Sequence, residues 1–126
     1  MIVAFLHDMP VVVARRGTRL AGVLVSSSIE AVGHMPVIAA MLGTWRGAAD
    51  AYIYGPICIA APDRGQGLAE KLLGFLKAVL PGREGILFIR ADNAASIRAH
   101  RDKLGMLPRG TFSLDGAEHV VLSHQG

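Results

Sequence analysis

The stretch Ala61–Leu76, APDRGQGLAEKLLGFL, follows directly on the apolar run AYIYGPICIA (Ala51–Ala60) and sets an arginine and two glycines where a strand becomes a helix. From Gly67 to Leu80, the side chains of Leu68, Leu72, Phe75, Leu76 and Val79 recur at helical spacing on one face, and Pro81-Gly82 ends the run. The preceding run reads as a strand whose Gly55-Pro56 pair does not suit a regular central ladder, which predicts a bulge or a local splay. Downstream, GILFIRA (Gly85–Ala91) is continuously apolar, the mark of a strand covered on both faces. Strand, helix and strand in this order make a right-handed parallel crossover.

Working outward, PVVVAR (Pro10–Arg15), the turn RGTR and LAGVLVSS (Leu20–Ser27) form a hairpin, and GTFSLDGAEHVVLS forms another that turns at Asp115-Gly116. A second helix is predicted from about Ala94 to Leu104, closed by Gly105. Between Ser28 and Asp50 the pattern predicts only a short helix in a long loop, with Pro36 in its first turn and Gly43 and Gly47 stopping it early. The fold expected is α/β (α+β): one domain over residues 1–126, built on a single mixed, mostly antiparallel sheet with a central parallel crossover.

Composition narrows the function classes. Of 126 residues, 52% are apolar, which argues against disorder. The longest segment free of Asp, Glu, Lys and Arg is Ala31–Trp45, broken by His34, Pro36 and Gly43, and a spanning helix needs roughly 20 mostly apolar residues. MIVAFLHDM lacks a basic leader and a small-residue cleavage site, so no membrane association is expected and the cytoplasm is the default location. One cysteine, Cys58, and five scattered histidines predict neither a disulfide framework nor a metal site. A net charge of +3 suits an anionic ligand, while Arg15, Arg16 and Arg19 alone, in a hairpin turn of the kind that is usually solvated, do not argue for nucleic acid.

Two phosphate-binding loops can be tested against the glycines by spacing. The dinucleotide fingerprint needs a third glycine where this chain has Glu70, and the P-loop needs a Gly-Lys-Ser/Thr that is absent. What remains is Arg64-Gly65-Gln66-Gly67-Leu68-Ala69 opening a helix. Such a turn lets backbone N–H groups approach an anion, with the helix's unpaired donors behind them. A plain glycine-rich turn reads the same way. Across the crossover, steps of 100° from Asn93 place Ser96 and His100 on one side of the second helix, next to Ile97 and Leu104 facing the core, with Arg98 and Asp102 turned to solvent. A ligand between the ends of the two parallel strands would meet the glycine loop on one side and Asn93, Ser96 and His100 on the other. Asn93 also reads as a helix N-cap with Ser96 as its partner.

With both motifs in view, the chain resembles the GNAT superfamily of acyl-CoA-dependent N-acetyltransferases. The resemblance rests on RGQGLA (Arg64–Ala69), the strand ICIAAPD before it, and NAASIRAHRDKLGM (Asn93–Met106) after the next strand. It covers roughly Pro10–Ser123 and weakens between Ser28 and Asp50. It implies acetyl-CoA as co-substrate, with the backbone of Cys58 and Ile59 pairing with the pantetheine arm. The loop Arg64, Gly65, Gln66, Gly67, Leu68 and Ala69 would hold the pyrophosphate, and Asn93 and Ser96 would line the arm's other side. The implied chemistry is direct attack of an amine on the thioester, which leaves Cys58 as a strand residue rather than a nucleophile.

Two departures stand out. Where the family often has a tyrosine that protonates the leaving thiolate, this chain has His100, in a segment one residue longer than usual; His100 is either that acid or a packed residue with its ring nitrogens bonded. The family usually begins with a strand and one or two helices that form part of the acceptor site; here that part is missing, shortened or lost to a misplaced start, with MIVAFLHDM read as a remnant of its last helix. The loop Ser28–Asp50 with His34, Trp45, Tyr52 and Tyr54 then becomes the expected acceptor lining, and Glu30 and Asp50 the nearby carboxylates. The reading is an N-acetyltransferase with a small-molecule or peptide amine as acceptor. The alternative is a non-catalytic acyl-CoA-binding or regulatory domain. An unpaired edge strand at either hairpin would allow a homodimer.

Overall fold

The computed structural model describes residues 2–6 and 9–125. Seven strands form one sheet in the order β1-β2-β3-β4-β5-β7-β6. They are β1 (Ile2–Leu6), β2 (Met9–Arg16), β3 (Arg19–Ser28), β4 (Tyr52–Ile59), β5 (Gly85–Arg90), β6 (Leu107–Leu114) and β7 (Ala117–His124). Only β4 and β5 run parallel; every other pairing is antiparallel. The mixed sheet with its one parallel crossover is therefore as expected. The segment read as a helix remnant is instead an edge strand: Ile2–Leu6 pairs along β2, from Ile2↔Val13 to Leu6↔Met9, while Met1, His7 and Asp8 lie outside the described residues.

The C-terminal hairpin turns as its sequence dictates. Asp115 (φ 50°) and Gly116 (φ 78°) both take left-handed backbone, the pair of conformations a two-residue turn between twisted strands requires.

Helices cover both faces. On one side, α3 (Leu68–Val79) buries Leu72, Leu73 and Leu76 against Val12, Leu24, Leu87 and Leu122, each leucine contributing about 1.5–3 kcal/mol. Its buried face is rotated from the predicted stripe toward Leu73 and Leu80, which leaves Phe75 46% exposed. On the other side, α2 (Pro36–Thr44) packs Ile38, Met41 and Leu42 on Ile53, Ile86 and Val121. This helix starts at Pro36 as expected but runs through Gly43, and a four-residue α1 (Ile29–Val32), capped by Ser28 Oγ, precedes it. Strand β5 is covered on both faces: Ile86 belongs to the α2 side and Leu87 to the α3 side.

After β5, α4 (Ala94–Arg98) continues into a π-turn over Ala99–Lys103, where the Leu104 N–H reaches back to the Ala99 carbonyl at 3.1 Å. One additional residue in a helix is accommodated by such a turn, which is where the extra length before Gly105 goes. Ile97 and Leu104 pack against the α3-side core, and Arg98 and Asp102 are exposed.

Candidate functional site

Strands β4 and β5 are joined only at Tyr52↔Gly85 and Ile53↔Ile86. Beyond these pairs the two strands part. On the other edge of β4, Leu24 pairs with Ile57 and Ser26 with Tyr54, so Gly55 and Pro56 together oppose Val25 as a bulge. Both the bulge and the splay therefore sit where Gly55-Pro56 predicted them. Past the bulge, the Ala60 N–H is donated to the Ala21 carbonyl at 2.8 Å. Since peptide groups alternate sides along a strand, Cys58 also turns its peptide to β3, where it pairs with Val23, whereas Ile57 and Ile59 turn theirs to the open side. Of the two expected backbone partners for an extended arm, Ile59 is on the free edge and Cys58 is not. The Cys58 side chain is exposed.

The parting leaves a cleft of about 460 Å³. Its walls are mostly apolar, with Val32, Met35, Val37 and Pro56 among them, and its polar side chains are Ser27, Tyr54, Ser96 and His100.

From Ile59 the chain enters a single 3-10 turn, Ala61–Asp63, and then the glycine loop. Gly65 (φ 74°) and Gly67 (φ 75°) are left-handed, and no atom lies within 4 Å of where a Cβ would stand on either. Any side chain here would cost roughly 1–2 kcal/mol in backbone strain and project into that open space. Gly67 caps α3 without a side-chain bond, so the N–H groups of Leu68 and Ala69 at the start of the helix have no capping side chain. Arg64 is exposed and donates from Nε to the Ile59 carbonyl at 3.1 Å, linking the loop to the free edge of β4. Gln66 bridges from Nε2 to the Pro62 carbonyl and from Oε1 to Arg16.

A residue that the sequence did not single out anchors this loop. The Asp63 side chain is 1% exposed, covered by the guanidinium groups of Arg16 (2.5 Å) and Arg19 (2.6 Å) rather than by the apolar core. Arg16 and Arg19, expected to be merely solvated, tie the β2–β3 turn to the loop. The hydrogen bonds from Arg19 and then Arg16 hold the Asp63 carboxyl down to about 2, against 3.8 ordinarily, and outweigh its desolvation. A depressed carboxyl stabilises the fold above its unfolded value and loses that contribution as the pH falls through its folded value. Acid unfolding should therefore steepen between about pH 4 and pH 2, and Asp63→Asn should flatten that limb. Equal slopes for the two proteins, followed by circular dichroism, would show that Asp63 contributes nothing there.

The second wall comes from α4. Asn93 caps the helix, its Oδ1 accepting the Ser96 N–H at 3.2 Å, so the N-cap reading is correct. His100 is 7% exposed, and its Nδ1 lies 2.8 Å from the Ser96 carbonyl. A carbonyl only accepts, so Nδ1 carries the proton and Nε2 is left with its lone pair. The Tyr54 hydroxyl, 3.2 Å away, is then the donor to Nε2. Burial lowers the His100 pKa below its ordinary value, the Ser96 bond opposing it, so the ring is neutral at pH 7. Burial likewise pushes the Tyr54 hydroxyl above the phenol range, keeping it protonated.

The remaining candidates scatter. His34 is exposed, and Trp45 donates to buried Glu84 at 2.9 Å while Arg109 stacks 4.2 Å over its ring. Tyr52 is fully buried and bonded to His124 at 2.5 Å. Glu30 and Asp50 line a different cavity, of about 520 Å³, with Arg46 and Arg83. Of the expected acceptor lining, the structure brings to the cleft Tyr54 and, from the Ser28–Asp50 segment, Val32, Met35, Val37 and Ile38, but not His34, Trp45 or Tyr52. Among the described residues, no group of three or more His, Cys, Asp or Glu could hold a metal, and no helix is long and apolar enough to cross a membrane.

No protein-family model and no curated protein matches this sequence. Solved structures do. An N-acetyltransferase from Staphylococcus aureus Mu50 superposes with a TM-score of 0.66 at 23% identity, over 90% of this chain and 69% of that one. A Salmonella typhimurium structure solved with its cofactor acetyl-CoA gives 0.60 at 22%, over 92% and 64%. A ribosomal-protein-alanine N-acetyltransferase from Brucella melitensis gives 0.62 at 22%, over 93% and 68%. The chain spans roughly two thirds of the length of these structures, and its fold is that of the GNAT acetyltransferases.

Proposed function

We propose that the chain is an N-acetyltransferase that moves an acetyl group from acetyl-CoA to an amine by direct attack on the thioester. The parting of β4 from β5 beyond Ile53 carries this reading, because it leaves a slot edged by unpaired backbone that ends at the glycine loop. Open space where a Cβ of Gly65 or Gly67 would stand leaves room for backbone donors at the start of α3 to close on a diphosphate. Acetyl-CoA, when bound, supplies the acetyl group already activated as a thioester.

The chain's own residues then bind and orient. The peptides of Ile57 and Ile59 offer a free edge, with Cys58 between them fixing the strand to β3. The amides around Gly65, Gly67, Leu68 and Ala69, with Arg64 and Gln66 beside them, face the diphosphate position. Ser96 lines the cleft with His100 and Tyr54, which stand at the reacting end, and Asn93 caps the helix that carries Ser96. Positioning two reactants can supply roughly 7–11 kcal/mol of a barrier, so this scaffold contributes more than any one proton-transfer group.

The apolar walls favour an acceptor whose amine is flanked by apolar groups, and with no acidic side chain lining the cleft among the described residues, a polycation gains nothing there. A small amine or a peptide α-amine both meet that description, and two of the structural neighbours are named for acetylating an alanine of ribosomal proteins. Acetyl-CoA at 100 times its Kd should stabilise the chain by about 2.7 kcal/mol, read as a thermal shift, and a panel of apolar amines should release free thiol. Stabilisation without thiol release from any amine would instead support an acyl-CoA-binding domain, and neither response would overturn both readings.

A further inference from the structure

The chain's two tyrosines form two Tyr–His pairs built to one plan. In each, the histidine Nδ1–H donates to a main-chain carbonyl (Ser96 for His100, Gln125 for His124), which leaves Nε2 to accept from a tyrosine hydroxyl. The rings meet edge-on, with centroids 5.6 Å apart in both pairs. Two differences separate them. Tyr52 and His124 are locked at 2.5 Å and line no part of the cleft; Tyr54 and His100 stand 3.2 Å apart, long for a hydroxyl donor, and both border it. The core pair is a fixed strut. The cleft pair has the longer bond, and both its residues line the cleft.

We propose that Tyr54, rather than His100, gives the proton to the departing sulfur, and that His100 is the positioning residue that keeps the Tyr54 hydroxyl loaded and aimed. This role rests on the acetyl-transfer reading. His100 has no proton to give toward the cleft, since its one N–H is committed to Ser96 and its burial opposes gaining a second. Tyr54 has one, and the bond that holds it is the weaker of the two. A developing thiolate is a stronger acceptor than a neutral imidazole 3.2 Å away, so the O–H turns to sulfur as charge builds there. Because burial disfavours a free phenolate, the nitrogen's proton replaces that of Tyr54 as it leaves. As the new N–C bond forms and the C–S bond breaks, the electron pair leaves with sulfur, and sulfur takes the Tyr54 proton. Tyr54 recovers a proton from the nitrogen, which must lose one to become an amide. Net, one proton passes from nitrogen to sulfur, and Tyr54 and His100 end as they began.

The test combines turnover with a measurement on the ligand-free protein. Nitrogen-15 NMR of the free chain should show His100 protonated at Nδ1 and bare at Nε2, with Tyr54→Phe moving the Nε2 signal. Tyr54→Phe should lower kcat by roughly 10²- to 10⁴-fold without changing acetyl-CoA affinity. His100→Ala should also slow turnover, and His100→Gln, which returns an acceptor oxygen, should restore part of that loss. The double variant Tyr54→Phe/His100→Gln should be no slower than Tyr54→Phe alone. A proton found on His100 Nε2, Tyr54→Phe turning over at the parental rate, or additive losses in the double variant each overturn the assignment. A parent chain that releases no thiol with any amine overturns the acetyl-transfer reading itself, and this role with it.

Discussion

Gly67→Val is expected to weaken acetyl-CoA binding by about 10²-fold while leaving the chain folded. In the free protein a Cβ at this exposed position meets no atom within 4 Å, so the core is not where the substitution acts. Its cost there is the left-handed backbone at φ 75°, roughly 1–2 kcal/mol of stability. Binding suffers separately. On the proposed reading the branched side chain occupies space the diphosphate needs, and losing one or two charge-assisted N–H bonds, each worth about 1.5–3 kcal/mol, accounts for a hundredfold change. Isothermal titration with acetyl-CoA and a melting curve separate the two effects. An affinity equal to the parent's would mean that the loop does not hold the diphosphate.

The second large effect is on stability. Gly85→Val should destabilise the protein by about 2–5 kcal/mol, the sum of overpacking and of a broken buried hydrogen bond. A Cβ at Gly85 would run into the His124 ring and stand 2.8 Å from Tyr52 Cζ, parting the core Tyr–His pair. Gly85 is also one of the two β5 residues that hold β4. Chemical denaturation should show a lower midpoint, and a midpoint equal to the parent's would show that the seam relaxes without loss.

How far these features were readable in the sequence depends on the range over which the chain encodes them. The crossover, the two hairpins, the bulge at Gly55-Pro56 and the N-cap at Asn93 are local. Each follows from spacing or from a residue with one strong backbone preference. Ser96 and His100 could be placed on one side of their helix because periodicity fixes that side, and both line the cleft, whereas Asn93 and the glycine loop are not among its lining residues. Phe75 was misplaced because α3 is apolar over a wide arc, and tertiary packing chose the Leu73 edge of it. Gly43 was read as a stop, yet the core contacts of Met41 and Leu42 carry the helix past it. The Asp63 clamp had no local signal: Arg16 and Arg19 are 47 and 44 residues away, and no periodicity links a turn to a distant loop. The protonation of His100 was equally hidden, since it is fixed by the Ser96 carbonyl and by Tyr54 on the distant strand β4.

The π-turn after α4 has a consequence for how the chain tolerates changes in length. Its exposed members Arg101, Asp102 and Lys103 pair only with each other or with solvent, while His100 before them and Met106 after them are both buried. The turn therefore acts as slack between two fixed anchors. Removing one of the three exposed residues would let a plain α-turn close the same span, altering the mobility of the cleft wall at His100 without touching a core side chain. Among indels, a single deletion here should be accepted where one in β4 or α3 would not.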